Sequence, residues 1–204
     1  MPALNVRRAS PRPGLAAAFA ALVALAAIFA PRPARAAEGR LLRFPNVSRD
    51  QVTFVYANDI WVAPRAGGLA TKITSHEGQE WFPRFSPDGQ WIAFTGDYDG
   101  NREVYVVPAT GGEPVRLTYS PDIGDGVAER MGPDNAVLGW TPDGRVVYRS
   151  RRDQWNAFMG RPLVVSPSGG LPEPLPIPYG GLTSFSPDGK KVAYNPSWRE
   201  FRTW

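Results

Sequence analysis

The sequence lacks cysteine entirely and contains a single histidine, His76. Without cysteine the chain cannot form a disulfide scaffold, a thiol nucleophile or a thiolate zinc site. One histidine also excludes a metal site built from several imidazoles. No other pattern in the sequence indicates a prosthetic group, and we therefore expect neither a metal nor a cofactor.

Acidic residues are missing from the first 36 positions, which instead contain five arginines. These arginines account for the formal charge of +4, because the rest of the chain has 18 basic and 19 acidic residues. Nucleic-acid binding requires a basic face. The near-neutral remainder gives no indication of such a face, so we expect no nucleic-acid partner.

The N-terminal segment has the pattern of a secretory signal peptide. Arg7-Arg8 supplies a positive head, and Leu15 to Ala30 is an uninterrupted apolar run of 16 residues. A helix of that length spans about 24 Å, less than the ~30 Å core that a membrane anchor must cross. Small residues at Ala34 and Ala36 predict cleavage before Ala37, which gives a leader of residues 1–36. We expect a periplasmic or secreted protein with no stable membrane span after cleavage, exported by the general or the twin-arginine pathway.

Glycine and proline are abundant, with 21 and 22 residues. Together they make up about a fifth of the chain, against a usual share of roughly 12%. This composition disfavours a helical bundle and favours short strands joined by tight turns. Because 43% of the residues are hydrophobic, the chain has enough apolar surface to fold.

A four-residue turn motif recurs as Ser-Pro-Asp-Gly at 86–89 and 186–189 and as Thr-Pro-Asp-Gly at 141–144, with a degenerate copy at 48–51. Proline presets φ at the second turn position, and glycine takes the left-handed conformation that closes the turn. We interpret the repeated aspartate as part of a folding device rather than as a catalytic acid. The predicted structural turn residues are Pro87, Asp88, Gly89, Pro142, Asp143, Gly144, Pro187, Asp188 and Gly189.

The copies at 48–51, 86–89 and 141–144 are each followed by an apolar run, a polar loop and a second apolar run that ends in a Gly-Gly turn. In the copy at 83–118, strands are predicted at 83–85, 91–95, 103–107 and 115–118. Four short antiparallel strands per ~40–45 residues form one blade of a β-propeller. Continuous apolar runs are typical of strands that are covered on both faces.

The predicted fold is therefore all-β: a β-propeller of four-stranded antiparallel blades, with repeats near residues 40–74, 83–118, 137–176 and 182–204. These repeats amount to about three and a half blades, whereas closed propellers typically have about 4–8. We expect residues 37–204 to be the N-terminal part of a longer propeller domain, truncated at its C-terminus.

Ser75-His76-Glu77 contains the three residue types of a hydrolytic triad. Adjacent residues in an extended chain point to opposite faces, so these three cannot form the relay. The segment is not a His-Glu-x-x-His zinc motif either, because Glu80 stands where the second histidine belongs. We expect His76 to be structural, on a loop between two blades, and we predict no catalytic residue in this chain.

Asp97 to Asn101 has the spacing of the first ligands of a calcium loop, but Arg102 and Pro108 stand where that loop needs glycine and glutamate. A polar hairpin turn is the favoured interpretation, with a calcium site as the alternative.

A small basic cluster is interpreted as solvated surface, with a carboxylate-binding or domain-docking patch as the alternative. It consists of Arg149, Arg151 and Arg152.

Longer strings accompany the turn motifs. One runs from Ile73 to Asn101, a second covers 181–195 (GLTSFSPDGKKVAYN), and a third is REFRTW at 199–204. They resemble the N-terminal propeller of tricorn-type proteases over about residues 40–204. The turn motif alone is also shared by TolB and prolyl-oligopeptidase propellers.

The resemblance implies a modular serine peptidase with a six-bladed propeller, a seven-bladed propeller, a PDZ-like module and a catalytic region far downstream of this chain. The propeller would gate or guide peptides or unfolded proteins to that region, and the full-length protein would be a homo-oligomer. Two alternatives are a TolB-like periplasmic protein-binding propeller without catalysis, and the propeller cap of a prolyl-oligopeptidase-like hydrolase.

Overall fold

A computed structural model describes residues 41–121, 134–151, 160–177 and 179–196. Within these residues the chain forms 14 β-strands, and it has no helix long and apolar enough to cross a membrane. The signal peptide predicted at 1–36, its cleavage residues and Arg152 lie outside the described residues. The predicted all-β fold of four-stranded antiparallel sheets is confirmed.

The strands form three four-stranded sheets and one two-stranded sheet, each following the chain order. The first sheet contains β1 (Arg43–Val47), β2 (Gln51–Tyr56), β3 (Asp59–Pro64) and β4 (Thr71–Lys72). The second contains β5 (Glu80–Phe85), β6 (Trp91–Asp97), β7 (Arg102–Pro108) and β8 (Val115–Arg116). The third contains β9 (Asn135–Trp140), β10 (Val146–Ser150), β11 (Arg161–Val165) and β12 (Glu173–Pro174). The fourth contains β13 (Gly180–Phe185) and β14 (Val192–Pro196).

The first strands of neighbouring sheets converge. Strand β1 contacts β5, β5 contacts β9, and β9 contacts β13, although each of these strands forms the edge of its own sheet. Sheets that meet along their first strands are arranged as blades around an axis, as in a propeller. The four sheets are therefore called blades one to four.

The hydrophobic core lies between the blades. Ile92 and Phe94 of β6 are fully buried against blade one, where Val55 and Ile60 are among their neighbours in one core cluster. Ala93, which lies between them in sequence, belongs to a second cluster shared with blade three. Because successive side chains of a strand point to opposite faces, both faces of β6 are covered. This explains its continuous apolar run.

The first strands are less regular than the turn motif suggested. Strand β5 begins at Glu80, three residues before the predicted start, and its register with β6 shifts between Trp81 and Arg84. Phe82, inside the shift, has φ of +54°, and Phe44 has the same φ at a similar shift in β1. The two rings pack edge to face with centroids 4.6 Å apart. The irregularity therefore allows the first strands of blades one and two to pack against each other through these rings. The periodicity of the sequence does not predict this irregularity.

Candidate functional site

A cavity of about 460 Å³ lies where the first strands end and the turn motifs begin. Its wall combines polar groups with three aromatic residues that directly precede turn motifs and with the proline of each complete motif. These residues are Phe85, Trp140, Phe185, Pro87, Pro142 and Pro187. The repeat that was predicted for folding therefore also brings the same chemical groups together from three blades.

Among the described residues that line this cavity, Arg84 of β5 is the only one with a charge. Its Nε donates a hydrogen bond to the carbonyl oxygen of Leu138 at 3.2 Å, and its Nη1 donates to that of Pro83 at 3.1 Å. Burial lowers the pKa of Arg84, but a guanidinium remains protonated in proteins. The cavity therefore holds one fixed positive charge.

Hydrogen bonds between blades hold the cavity wall in place. The Oδ1 atom of Asn46, in blade one, accepts from the backbone N–H of Phe85 at 2.9 Å. The indole Nε1 of Trp140, in blade three, donates to the carbonyl oxygen of Arg84 at 2.9 Å. Since both bonds join different blades, the shape of the cavity depends on how the blades pack together.

The predicted turn residues lie at the ends of the first strands. In the second blade, the Oδ1 atom of Asp88 accepts from the Ser86 hydroxyl at 2.5 Å and from the Gln90 N–H at 3.0 Å. These bonds lower the pKa of Asp88, the Ser86 hydroxyl contributing most. Gly89 closes the turn with φ of +72°.

The other two complete motifs have the same construction. Asp188 accepts from Ser186 and from Lys190, at 2.6 and 3.1 Å. The hydrogen bond with Thr141 is the main cause of the lowered pKa of Asp143. The closing residues Gly144 and Gly189 have φ of +84° and +70°. A hydrogen-bonded carboxylate that fixes its own turn is arranged for folding rather than for proton transfer.

A buried carboxyl group, Glu80, lies at the start of β5 where blades one and two meet. Its Oε2 accepts from the Ile60 N–H at 2.9 Å and from the Thr74 hydroxyl, and its Oε1 accepts from the Tyr98 hydroxyl. The pKa of Glu80 is raised to about 7, mainly by burial and also by the Asp59 carboxylate, against the lowering effect of the hydrogen bonds. Sequence reasoning missed this site.

A related junction follows one blade later. The Val104 N–H donates to the Thr118 hydroxyl at 2.9 Å. In the same way, the Ile60 N–H donates to the Thr74 hydroxyl in blade one. Thr118 in turn donates to Glu103, which also accepts from the Nδ2 of Asn135 at 2.9 Å. The signal in the sequence was the threonine that follows β4 and β8, in Lys72-Ile73-Thr74 and Arg116-Leu117-Thr118.

His76 lies on the connection from β4 to β5. Its ring stacks on Tyr98 with centroids 3.9 Å apart, and its Nδ1 accepts from the Gly78 N–H at 2.9 Å. Ser75 and Glu77 are exposed, and within the described part of the chain neither forms a hydrogen bond to His76. The residues of the apparent triad are therefore not brought together.

The segment Asp97 to Asn101 connects β6 to β7 as a hairpin. Asp97 lies 3.7 Å from Arg102, and Asp99 lies 2.8 Å from Arg116, so both carboxylates face arginines. Gly100 has φ of +74°, as a tight hairpin turn requires. This geometry favours the hairpin interpretation.

The interpretation of the basic cluster as solvated surface was wrong for Arg151 and only partly right for Arg149, and Arg152 lies outside the described residues. Arg151 is only 3% exposed and lies 3.3 Å from the Asp134 carboxylate. Arg149 is partly buried, and burial lowers its pKa. The sequence does not predict this burial, because Asp134 is 17 residues away from Arg151 along the chain.

Over the described residues, no group of three or more His, Cys, Asp or Glu side chains could hold a metal ion.

Comparisons with known proteins agree with this architecture. The family model described as the tricorn protease N-terminal beta propeller domain matches residues 39–204. Tricorn protease homolog 1 of Streptomyces coelicolor is 33% identical over 170 residues, which are 79% of this chain and 15% of that relative. The tricorn protease of Thermoplasma acidophilum is 33% identical over 110 residues, 52% of this chain and 10% of that protein. The chain therefore spans only a small part of the length of these relatives.

Solved structures are similar in fold. The crystal structure of the tricorn protease has a TM-score of 0.61 and 27% identity, and the match covers 73% of this chain and 14% of that one. TolB from Acinetobacter baumannii has a TM-score of 0.59 and 23% identity, covering 75% of this chain and 37% of that one. At that identity the likeness to TolB concerns the fold alone.

Proposed function

Because the chain belongs to the family of tricorn protease N-terminal β-propeller domains, we propose that it guides unfolded peptides toward a serine peptidase core in a longer protein. The cavity between the first strands is the observation that carries this proposal. Its volume of about 460 Å³ falls in the range of roughly 300–1,000 Å³ that is typical of small-ligand sites. A cavity of that size can admit the end of an extended peptide but not a folded domain.

The aromatic and proline rings of the cavity wall also suit this function. Aromatic and proline rings offer contact area to many side chains without requiring a particular hydrogen-bond pattern. Guiding peptides of varied sequence needs such tolerance, because a specific polar pattern would reject most of them. The catalytic residues, a homo-oligomeric assembly and contacts with further domains belong, in this proposal, to the longer protein.

The test fills the cavity. Gly139 lines it, and a Cβ added there meets no atom within 4 Å, so Gly139→Trp adds bulk without a backbone clash. With the full-length protein and an unstructured fluorogenic peptide, we expect kcat/KM to fall about 10-fold, a loss of about 1.4 kcal/mol in transition-state stabilisation. Gly139→Ala, the matched control, should stay within about twofold of wild type. An unchanged kcat/KM in the tryptophan variant, with its melting temperature also unchanged, would contradict guidance through this cavity.

A peptide-binding propeller without peptidase activity is the second candidate, favoured by the fold that the chain shares with TolB. The same assay separates the two functions. Binding of the peptide by the full-length protein without any hydrolysis would favour the adaptor. Hydrolysis that responds to the substitutions at Gly139 would favour the peptidase.

Export completes the proposal. The first 36 residues motivate it through their positive head, apolar run and small residues before Ala37. N-terminal sequencing of the protein expressed in a Gram-negative host should find Ala37 as the first residue. An intact Met1 on membrane-bound protein would overturn cleavage.

A further inference from the structure

Arg84 has hydrogen-bonding capacity that its neighbours do not use. Two of its three guanidinium nitrogens, Nε and Nη1, are bound to backbone carbonyls. Its Nη2 has no hydrogen-bond partner, and no carboxylate forms an ion pair with Arg84 among residues 41–121, 134–151, 160–177 and 179–196. Carbonyl dipoles compensate a partly buried cation less well than a carboxylate does.

The surroundings of Arg84 would strengthen its attraction for an anion. No described acidic residue lines the cavity, so none competes there for the guanidinium. Arg84 is only partly exposed, and partial burial strengthens a charge–charge interaction relative to one in bulk water. The carbonyls of Pro83 and Leu138 belong to two different strands, and together they hold the guanidinium in one orientation before any ligand binds.

A neutral donor lies in the same wall. The side chain of Asn46 uses its Oδ1 to accept from the Phe85 N–H. Its Nδ2 has no partner within the described ranges and can donate to a second oxygen. A cavity wall that contains an oriented guanidinium, an amide donor and aromatic rings matches a carboxylate that is joined to an apolar group.

We propose that this cavity recognises the carboxylate of a peptide through Arg84, with the adjoining apolar residue against the aromatic and proline wall. This inference rests on the proposed function, because it assumes that peptides enter the cavity. A chain-terminal carboxylate and an aspartate or glutamate side chain offer the same chemistry, and the experiment below distinguishes them. Arginine suits both, because its planar fork can bind two carboxylate oxygens at once.

The test compares three labelled hexapeptides of one Gly/Ser-rich sequence that ends in phenylalanine. The first has a free C-terminal carboxylate, the second a C-terminal amide, and the third an amide with aspartate before the phenylalanine. Fluorescence anisotropy is measured with the full-length protein, treated with a serine-reactive inhibitor so that hydrolysis does not alter the probe. We expect the free acid to bind about 10-fold more tightly than the amide. Recovery of that affinity by the aspartate peptide would support carboxylate recognition with a side chain as its source.

Variants assign the effect to one side chain. Arg84→Gln should reduce the acid-to-amide affinity ratio to about 1, and Arg84→Lys, which keeps the charge but loses the fork, should give an intermediate ratio. Arg43→Gln is the matched control, because Arg43 is an exposed arginine of β1 that does not line the cavity. It should keep the wild-type ratio.

The wild-type comparison needs no variant, so a folding defect in Arg84→Gln cannot hide the answer. Equal affinity of wild type for all three peptides would overturn the carboxylate site while leaving peptide guidance intact. A wild-type ratio that survives in Arg84→Gln would overturn the role of Arg84. Failure of all three peptides to bind would overturn the proposed function as well.

Discussion

A buried carboxyl group makes the junction between blades one and two depend on pH. Glu80 is 1% exposed, and its pKa is raised from 4.5 to about 7. Between these values the unfolded chain is ionised at this residue while the folded chain holds the proton. Unfolding then releases a proton, so the contribution of Glu80 to stability is greatest below about pH 4.5 and is lost as pH rises to about 7. The other groups around the carboxyl are Asp59, paired with Lys72, and Tyr98, stacked on His76.

We predict that Glu80→Gln removes this pH dependence, because an amide keeps the shape of the side chain but cannot ionise. The readout is hydrogen exchange at the Ile60 amide, which donates to Glu80. In wild type, the free energy of opening should fall by on the order of 2–3 kcal/mol between pH 5 and pH 8. In the variant it should stay flat, and in the control Glu77→Gln, at an exposed neighbour, it should fall as in wild type. If the free energy of opening fell with pH as steeply in Glu80→Gln as in wild type, Glu80 would not be the group responsible for the pH dependence.

The turn motif shows how one element serves both folding and the cavity wall. Its serine or threonine and its aspartate bond to each other or to the turn backbone. Its glycine takes a left-handed φ, and its proline forms part of the cavity wall. Each copy therefore needs glycine for the backbone, whereas the identity of the residues around it affects the cavity.

We predict that Gly89→Ala lowers the free energy of unfolding by about 1 kcal/mol, because φ of +72° is unfavourable for any residue with a Cβ. Gly139→Ala is the control, since it adds the same methyl group where no atom lies within 4 Å. Native-state hydrogen exchange of the β6 amides in urea gives both values. Equal stability of the two variants would show that the turn tolerates a side chain.

At the scale of the described part of the molecule, the hydrophobic core is built from contacts between blades. One core cluster joins Val55, Ile60, Val62 and Ile73 of blade one to Phe85, Ile92 and Phe94 of blade two. A single sheet has no interior of its own, so a blade is stable only when a neighbour covers its face. Neighbouring blades should therefore unfold together.

We predict that Ile60→Ala, in blade one, weakens the protection of β6 amides in blade two by about 2–5 kcal/mol, the usual range for such a cavity. Leu69→Ala is the control, because Leu69 is 91% exposed and should change exchange little. Loss of protection confined to β2 and β3 would mean that the blades unfold independently.

The sequence by itself determined the fold. A turn motif with proline and glycine at set positions and continuous apolar runs are local features, and local features suffice to predict strands, turns and blades. The site depended on tertiary structure. Arg84 lies 54 residues from Leu138, and Glu80 lies 20 from Ile60, so only the packing of blades brings these partners together. Burial then decides the chemistry: it raises the pKa of one carboxyl group, and in the described part of the chain it places one guanidinium in a cavity wall that contains no carboxylate. No linear pattern carries such information, because dielectric environment and hydrogen-bond partners are properties of the folded chain.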